Sequence, residues 1–249
     1  MRILLHGASG FMGREVIKLA KENYCGTEIV QGVDAFMKGD EDIPCVKSFD
    51  DATTSVDCIV DFSHHSLTKS LLDFAVKNNI PTILCTTGHT EEEKALIYDA
   101  CKKAPIFYSA NMSIGVPLLI ELAKKTVLAM PNADIEIIEA HHNRKVDAPS
   151  GTALMIFNGI KEVRPQSVAV MGRSGMCKRT PEEIGINSLR MGNVVGEHQV
   201  IVSTANQTIT LKHEAHNRGL FAEGALKAAE FMCGKQAGHY IMQNLLNDY

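Results

Sequence analysis

This 249-residue chain has no apolar run approaching the length of a membrane span. Its opening stretch, Met1-Arg2-Ile3-Leu4-Leu5-His6, reaches glycine before a signal-peptide core can form. Charge is also scarce in net terms: a formal −4 gives no global footprint for nucleic acid or an anionic membrane, so any attraction for an anionic ligand must be local. The seven cysteines are scattered, odd in number and never spaced C-x-x-C. That argues against a disulfide framework or a zinc site and for reduced thiols in a cytoplasmic protein. Internal repeats and low-complexity linkers are absent as well.

What remains is enough apolar material, 45% of residues, for one large domain or two small ones. In the first half, short β-rich runs alternate with helical patterns. Arg2–His6, Glu28–Val33, Cys58–Phe62, Thr82–Cys85 and Ile106–Tyr108 read as strands, and Met12–Asn23, Ser66–Asn78 and Glu91–Lys102 as helices. This alternation predicts parallel β-α-β units in a doubly wound sheet, whose ligands bind beyond the carboxyl ends of the strands. The rhythm then changes. Gly115–Ala129 and a segment starting near Gly151 read as helices, while Asp134–Ala140, Ile186–Met191, Gln199–Ser203 and Thr208–His213 read as strands without full helices between the later ones. A second α+β domain with a mixed sheet is expected there. Leu220–Met232 returns to helix, and Tyr240–Leu246 reads as a short final one.

The segment His6-Gly7-Ala8-Ser9-Gly10-Phe11-Met12-Gly13 joins the first strand to the first helix. Glycines there allow a tight turn and a close approach of a pyrophosphate to the backbone, while the helix start adds N–H groups and a favourable dipole. The pattern is G-x-x-G-x-x-G, with Ala8 where the common fingerprint has glycine. Asp34 ends the next strand, twenty-one residues after Gly13, close to the spacing of a ribose-diol acceptor. No arginine follows Asp34 directly, and Lys38 is the nearest cation for a 2′-phosphate, so the pattern predicts that NADH is tolerated and NADPH is not strongly demanded. Two further strand-end loops, Cys85-Thr86-Thr87-Gly88 and Ser109-Ala110-Asn111-Met112-Ser113, suit a nicotinamide half, although such compositions are also ordinary turn material.

The strongest chemical feature is Glu139-Ala140-His141-His142-Asn143-Arg144-Lys145-Val146-Asp147-Ala148-Pro149-Ser150-Gly151-Thr152-Ala153. Two histidines, an arginine and a lysine crowd a strand-end loop; their mutual repulsion lowers proton affinity unless an anion joins them. This suits binding of a dicarboxylate and proton donation near neutral pH. Ser150 is placed to cap a helix whose first N–H groups can hold a carboxylate. The histidine pairs His64-His65, His141-His142 and His213-x-x-His216 lack the cysteines or carboxylates that would complete a metal site, and no metal is expected.

The run Glu139–Ala153 closely resembles the signature of the dihydrodipicolinate reductase family. The G-A-S-G-F-M-G turn, Asp61-Phe62-Ser63, C-T-T-G, S-A-N-M-S and Val195-Gly196-Glu197-His198 follow in that family's order, so the resemblance spans nearly the whole chain. It implies a Rossmann-type nucleotide domain from residues 1–112 with 219–249, and a substrate and oligomerisation domain from 113–218 that builds a homotetramer. By motif position, the resemblance implies His141 as general acid/base and Lys145 as its cationic partner or proton donor. His142, Gly151 and Thr152 become contacts for substrate carboxylates. Gly7, Ala8, Ser9, Gly10, Phe11, Met12, Asp34, Cys85, Thr86, Thr87, Ser109, Ala110, Asn111 and Met112 become contacts for NADH or NADPH. Many relatives carry arginine in place of Phe11 and glycine in place of Cys85; the first departure again points away from NADPH, and the second adds bulk beside the nicotinamide. The implied reaction is hydride transfer to a cyclic imine dicarboxylate in lysine and diaminopimelate synthesis. A homoserine- or aspartate-type dehydrogenase shares the two-domain logic without accounting for the cationic signature. An NADH-sensing protein without turnover has no need of His141 and Lys145.

Overall fold

A computed structural model describes residues 1–37 and 42–248. The chain divides into two compact units, Met1–Ser113 with Arg218–Tyr249 and Ile114–Asn217.

In the first unit, β1 (Arg2–His6), β2 (Glu28–Val33), β3 (Cys45–Val46), β4 (Cys58–Asp61), β5 (Thr82–Leu84), β6 (Pro105–Tyr108) and β12 (Gly238–Tyr240) form one sheet in the order β12-β6-β5-β4-β1-β2-β3. Every pairing in it is parallel. Consecutive residues Ile3, Leu4 and Leu5 are fully buried, as expected where helices cover both faces of a parallel sheet. The connections are α1 (Phe11–Lys21), α2 (Thr68–Asn78) and α3 (Glu91–Cys101), with α6 (Gly219–Met232) and the short α7 (Met242–Leu246) from the C-terminal stretch. Because β1 lies between β2 and β4, strand order reverses at β1, and the crevice beyond the β1 and β4 ends is the switch point where such sheets take ligands.

The second unit packs α4 (Gly115–Ala129) and α5 (Gly151–Val163) with a sheet made of β7 (Asp134–His141), β8 (Val168–Met171), β9 (Glu183–Arg190), β10 (Gly196–Ser203) and β11 (Thr208–Ala215). The order is β11-β10-β7-β9-β8. β7 pairs parallel with β9 and antiparallel with β10, so the sheet is mixed, as the missing crossover helices predict. Ile135 and Ile137 on β7 bury one face against Leu119, Ala123, Ile156 and Ile160 of the two helices. The helices cross closely at Gly159, where a Cβ would lie 2.4 Å from Ile120.

The expected elements form, with edges shifted. α1 stops at Lys21 rather than Asn23, because Asn23 and Cys25 adopt left-handed backbone (φ 58° and 54°). The sequence reading missed β3, β8 and β12, short half-exposed edge strands without a continuous buried run; residues 238–240 pair with β6 before the last helix begins at Met242.

α6 is rich in small residues and lies against β4, β5 and β6. At Gly224 the helix backbone approaches Met112 so closely that a Cβ would sit 1.7 Å from the Met112 carbonyl oxygen. Gly224→Ala is therefore expected to lower the unfolding free energy by about 2 kcal/mol or more, as forced overpacking does. Chemical denaturation checks this, and an unchanged midpoint would contradict the packing described.

Candidate active site

The glycine turn is shaped by contacts that leave no room for side chains. Gly7 has φ +82°, donates its N–H to the Val33 carbonyl at 2.9 Å, and a Cβ there would meet the Phe62 carbonyl at 2.6 Å. A Cβ on Gly13 would lie 2.3 Å from the Gly7 oxygen, so the first helical turn sits directly on the loop. Ala8 is tolerated because its neighbour on β2 is Gly32, where a Cβ would come within 2.7 Å of the Ala8 methyl. The alanine is thus buried inward, and the departure from the common fingerprint is matched by a glycine on the adjacent strand. The N-cap of α1 is Gly10, which offers no side-chain cap, whereas α3 carries a full Thr90–Glu93 capping box. Asp34, nearly buried, accepts the Ser9 N–H on Oδ2 and the Phe36 N–H on Oδ1, both at 2.9 Å. Its carboxylate is therefore tied to the glycine turn. Lys38 lies outside the described residues.

A cavity of about 290 Å³ opens where β4, β5 and β6 end, lined by Met12, Phe62, Ser63, Cys85, Thr86, Thr87, Ala110, Met112 and Phe221. It gathers most of the strand-end loop residues singled out in the sequence. Ser109 and Asn111 shape the loop itself: the Ser109 hydroxyl donates to the Asn111 carbonyl at 2.7 Å, and Asn111 Oδ1 accepts the Ser113 N–H at 2.9 Å. Burial holds the Cys85 thiol well above its ordinary pKa, so it presents a neutral S–H. Phe11 is exposed, but the Arg218 guanidinium lies 5.8 Å from its ring centre. A cation therefore stands beside the turn even without an arginine at that position. Sequence reasoning gave Asp61 no role beyond marking a strand end. It is fully buried, with His6 Nδ1 at 2.8 Å and the hydroxyls of Ser63 and Thr86 each donating at 2.6 Å. Burial pushes its pKa up, yet His6, Ser63 and Thr86 outweigh that and keep it below the ordinary carboxylate range. Asp61 thereby fixes the ends of β1, β4 and β5 relative to one another.

In the second unit, the expected crowd of repelling cations is resolved differently. Arg144 turns away and donates to Asn193 Oδ1 at 2.9 Å, and Lys145 pairs with Asp147 at 2.8 Å. Beneath His141 lies the carboxylate of Glu139, wholly buried. It accepts from His141 Nδ1 at 2.6 Å, from Arg190 Nη1 and Nη2 at 2.8 Å each, and from the Ser150 N–H at 3.1 Å. The anion that relieves the repulsion is thus inside the protein. Ser150 caps α5 as expected, accepting the Ala153 N–H at 3.2 Å, and its hydroxyl also meets His198 Nε2 at 3.0 Å. Burial foremost, with His141 nearby, pushes His198 down to about 4, so it is a neutral ring. A Cβ on Gly151 would touch nothing within 4 Å, so the first turn of α5 is open there. His142, next to His141, and Thr152, next to Gly151, are each partly exposed. The pair His64 and His65 is engaged by Ser66 and Glu93, and no group of three or more metal-ligating side chains occurs among the described residues.

Burial raises the Glu139 pKa, but hydrogen bonds from Arg190, Ser188 and His141 outweigh it and hold the carboxyl at about 2, against 4.5 ordinarily. A depressed carboxyl stabilises the fold above the unfolded pKa, and that contribution is lost as pH falls through the folded one. The difference corresponds to about 3 kcal/mol, fading between roughly pH 5 and pH 2. Denaturation at pH 5 and pH 3 is expected to show a smaller loss for Glu139→Gln than for the native chain; equal losses would contradict this.

Comparison with known proteins agrees with this geometry. A family model described as dihydrodipicolinate reductase, N-terminus, matches residues 1–112, and one described as dihydrodipicolinate reductase, C-terminus, matches residues 115–246. The chain is 43% identical over 247 residues to a 4-hydroxy-tetrahydrodipicolinate reductase of Clostridium novyi (strain NT), with 98% of each chain covered. It is 44% identical over 248 residues to that of Caldanaerobacter subterraneus subsp. tengcongensis, covering 99% of this chain and 98% of the other. Among solved structures, dipicolinate-bound dihydrodipicolinate reductase from Paenisporosarcina sp. TG-14 matches with a TM-score of 0.79 at 24% identity over 97% of each chain. Aspartate dehydrogenase from Thermotoga maritima matches at 0.53 and 14% identity, over 94% of this chain and 97% of that one. These structural likenesses concern the fold. Two family models that together span nearly all residues, and full-length relatives above 40% identity, establish that the chain belongs to the dihydrodipicolinate reductase family.

Proposed function

We propose that the chain reduces 4-hydroxy-tetrahydrodipicolinate, or its dehydrated imine, to tetrahydrodipicolinate in lysine and diaminopimelate synthesis. The observation that carries this is the strand-end group of His141, His142 and Lys145 beside the open N-terminus of α5. A glycine turn that admits backbone close to a pyrophosphate, Asp34 at the next strand end and the cavity at Cys85–Thr87 fit a dinucleotide. When bound, a reduced nicotinamide supplies the hydride. In this reading Gly7–Met12 hold the pyrophosphate, Asp34 the ribose, and Cys85–Thr87 with Ser109–Met112 the nicotinamide end. His142 and the N–H groups of Gly151 and Thr152 hold the substrate carboxylates. His141 gives a proton as electron density develops on the ring, with Lys145 as its cationic partner. Residues 1–112 with 219–249 serve as the nucleotide domain and 113–218 as the substrate and oligomerisation domain of a homotetramer. Seven cysteines, none of them in a disulfide, support a cytoplasmic setting.

The Asp34 carboxylate leaves a 2′-phosphate opposed by a like charge, so NADH is the cofactor we assign as tolerated or preferred. In a coupled assay with pyruvate, aspartate semialdehyde and a dihydrodipicolinate synthase, oxidation of the cofactor is expected only when the synthase is present. NADH should match or exceed NADPH in kcat/KM, and a hundredfold advantage of NADPH would sink the assignment. Absence of oxidation with either cofactor, in folded protein that binds NADH, would turn the reading toward a sensor.

His141→Gln is expected to lower kcat by about a hundredfold or more, as loss of a general acid does, with little change in KM. His142→Gln should instead raise KM with a smaller effect on kcat. Steady-state kinetics of the two variants checks both, and an unaltered kcat for the first contradicts its role.

A further inference from the structure

Glu139 stands two residues before His141 on β7 and therefore on the same face of the strand. The neighbouring strands supply what holds it. Arg190 lies directly across from His141 on β9, and His198 directly across from Glu139 on β10. Arg190 grips both carboxylate oxygens and also donates to the Asp147 carbonyl at 2.6 Å, while the Ser150 N–H fills a further acceptor position. Such a bidentate grip, with a backbone donor besides, keeps an ionised carboxylate in one orientation. An ionised carboxylate only accepts hydrogen bonds, so the contact of 2.6 Å to His141 requires the ring hydrogen on Nδ1. The other ring nitrogen faces Gly196, where a Cβ would come within 3.2 Å of Nε2. Glycine at that position leaves Nε2 its space. Glu139 and His198 contact the ring directly, Arg190 grips Glu139 beside it, and Lys145 and His213 act on His198.

We propose that Glu139, clamped by Arg190 and the Ser150 N–H, is a positioning residue that fixes His141 as the Nδ1–H tautomer, so that Nε2 is the nitrogen that hands a proton to the substrate. The inference rests on the proposed reductase reading for its chemical consequence. In that step a bound reduced nicotinamide would supply hydride to the ring carbon conjugated with the C=N of the dehydrated imine; the C=C pair would shift toward the imine carbon, the C=N pair would move onto nitrogen to be protonated, and the resulting enamine would isomerise to the product imine. The Nε2–H bond of the imidazolium breaks as that proton meets the developing charge. His141 is left neutral, with hydrogen on Nδ1 toward Glu139, and regains its Nε2 proton from solvent. A salt bridge serving the fold alone would hold Glu139 and Arg190 together without needing the histidine. The short contact to His141 is what a purely structural pair leaves unexplained.

The test is nitrogen-15 NMR of the histidine rings in substrate-free protein, with the His141 signals assigned by their loss in His141→Gln. The wild-type ring, when neutral, is expected as the Nδ1–H tautomer. In Glu139→Gln the amide can donate, and the ring should swap to Nε2–H. Its kcat should fall at least about tenfold, with KM within about threefold, as wrong-tautomer substitutions do. A wild-type ring in the Nε2–H form would overturn the proposal, and so would a swapped ring with unchanged kcat. If Glu139→Gln does not fold, Arg190→Lys keeps the charge but loosens the grip; it should lower kcat and not raise KM, and an unchanged kcat overturns the proposal. The tautomer is read without turnover, so a wild-type enzyme inactive in the coupled assay would refute the reductase reading separately.

Discussion

The Ile114–Asn217 unit is organised around one buried carboxylate. Glu139 ties β7 to β9 through Arg190, to the start of α5 through the Ser150 N–H, and to the end of its own strand through His141. A buried ion pair seldom stabilises a fold more than well-packed apolar groups of the same volume would, because desolvation offsets the attraction. Removing one partner is costly all the same. The arrangement therefore acts to hold several groups in a single geometry.

The first unit repeats the device with different chemistry. Asp61, buried at the end of β4, gathers His6 from β1, Ser63 from its own loop and Thr86 from the loop after β5. Asp34 ties its strand end to the glycine turn through the Ser9 N–H. Parallel strands end side by side, so short polar side chains at those ends can lock neighbouring loops without long connections. Rigid loops of this kind are what a dinucleotide, bound largely through backbone groups, demands.

Much of this is legible in the sequence where the signal is local. The G-x-x-G-x-x-G turn, Asp34 at its spacing, and the Ser150 cap lie in contiguous stretches with a direct physical reading; the turn lies between β1 and α1, Asp34 directly follows β2, and Ser150 caps α5. The change from parallel to mixed sheet was readable from the missing helices after Gly185. The balance of charge around His141 was not. Arg190 reaches Glu139 across 51 residues of chain, and His198 meets Ser150 across 48. No local pattern announces such pairs. The short strands β3, β8 and β12 escaped for another reason: all three are half-exposed edge strands without the buried apolar run that marks the equally short β4, β5 and β6, and pairing with an existing strand decides them.

The most direct test of the account is to follow the hydride itself. Turnover with NADH deuterated at the transferable C4 position, with substrate generated in place by the synthase, would be analysed by mass spectrometry of the product. The account predicts tetrahydrodipicolinate carrying one deuterium, bound to ring carbon and retained in water. Cofactor oxidised without deuterium entering the product would contradict it.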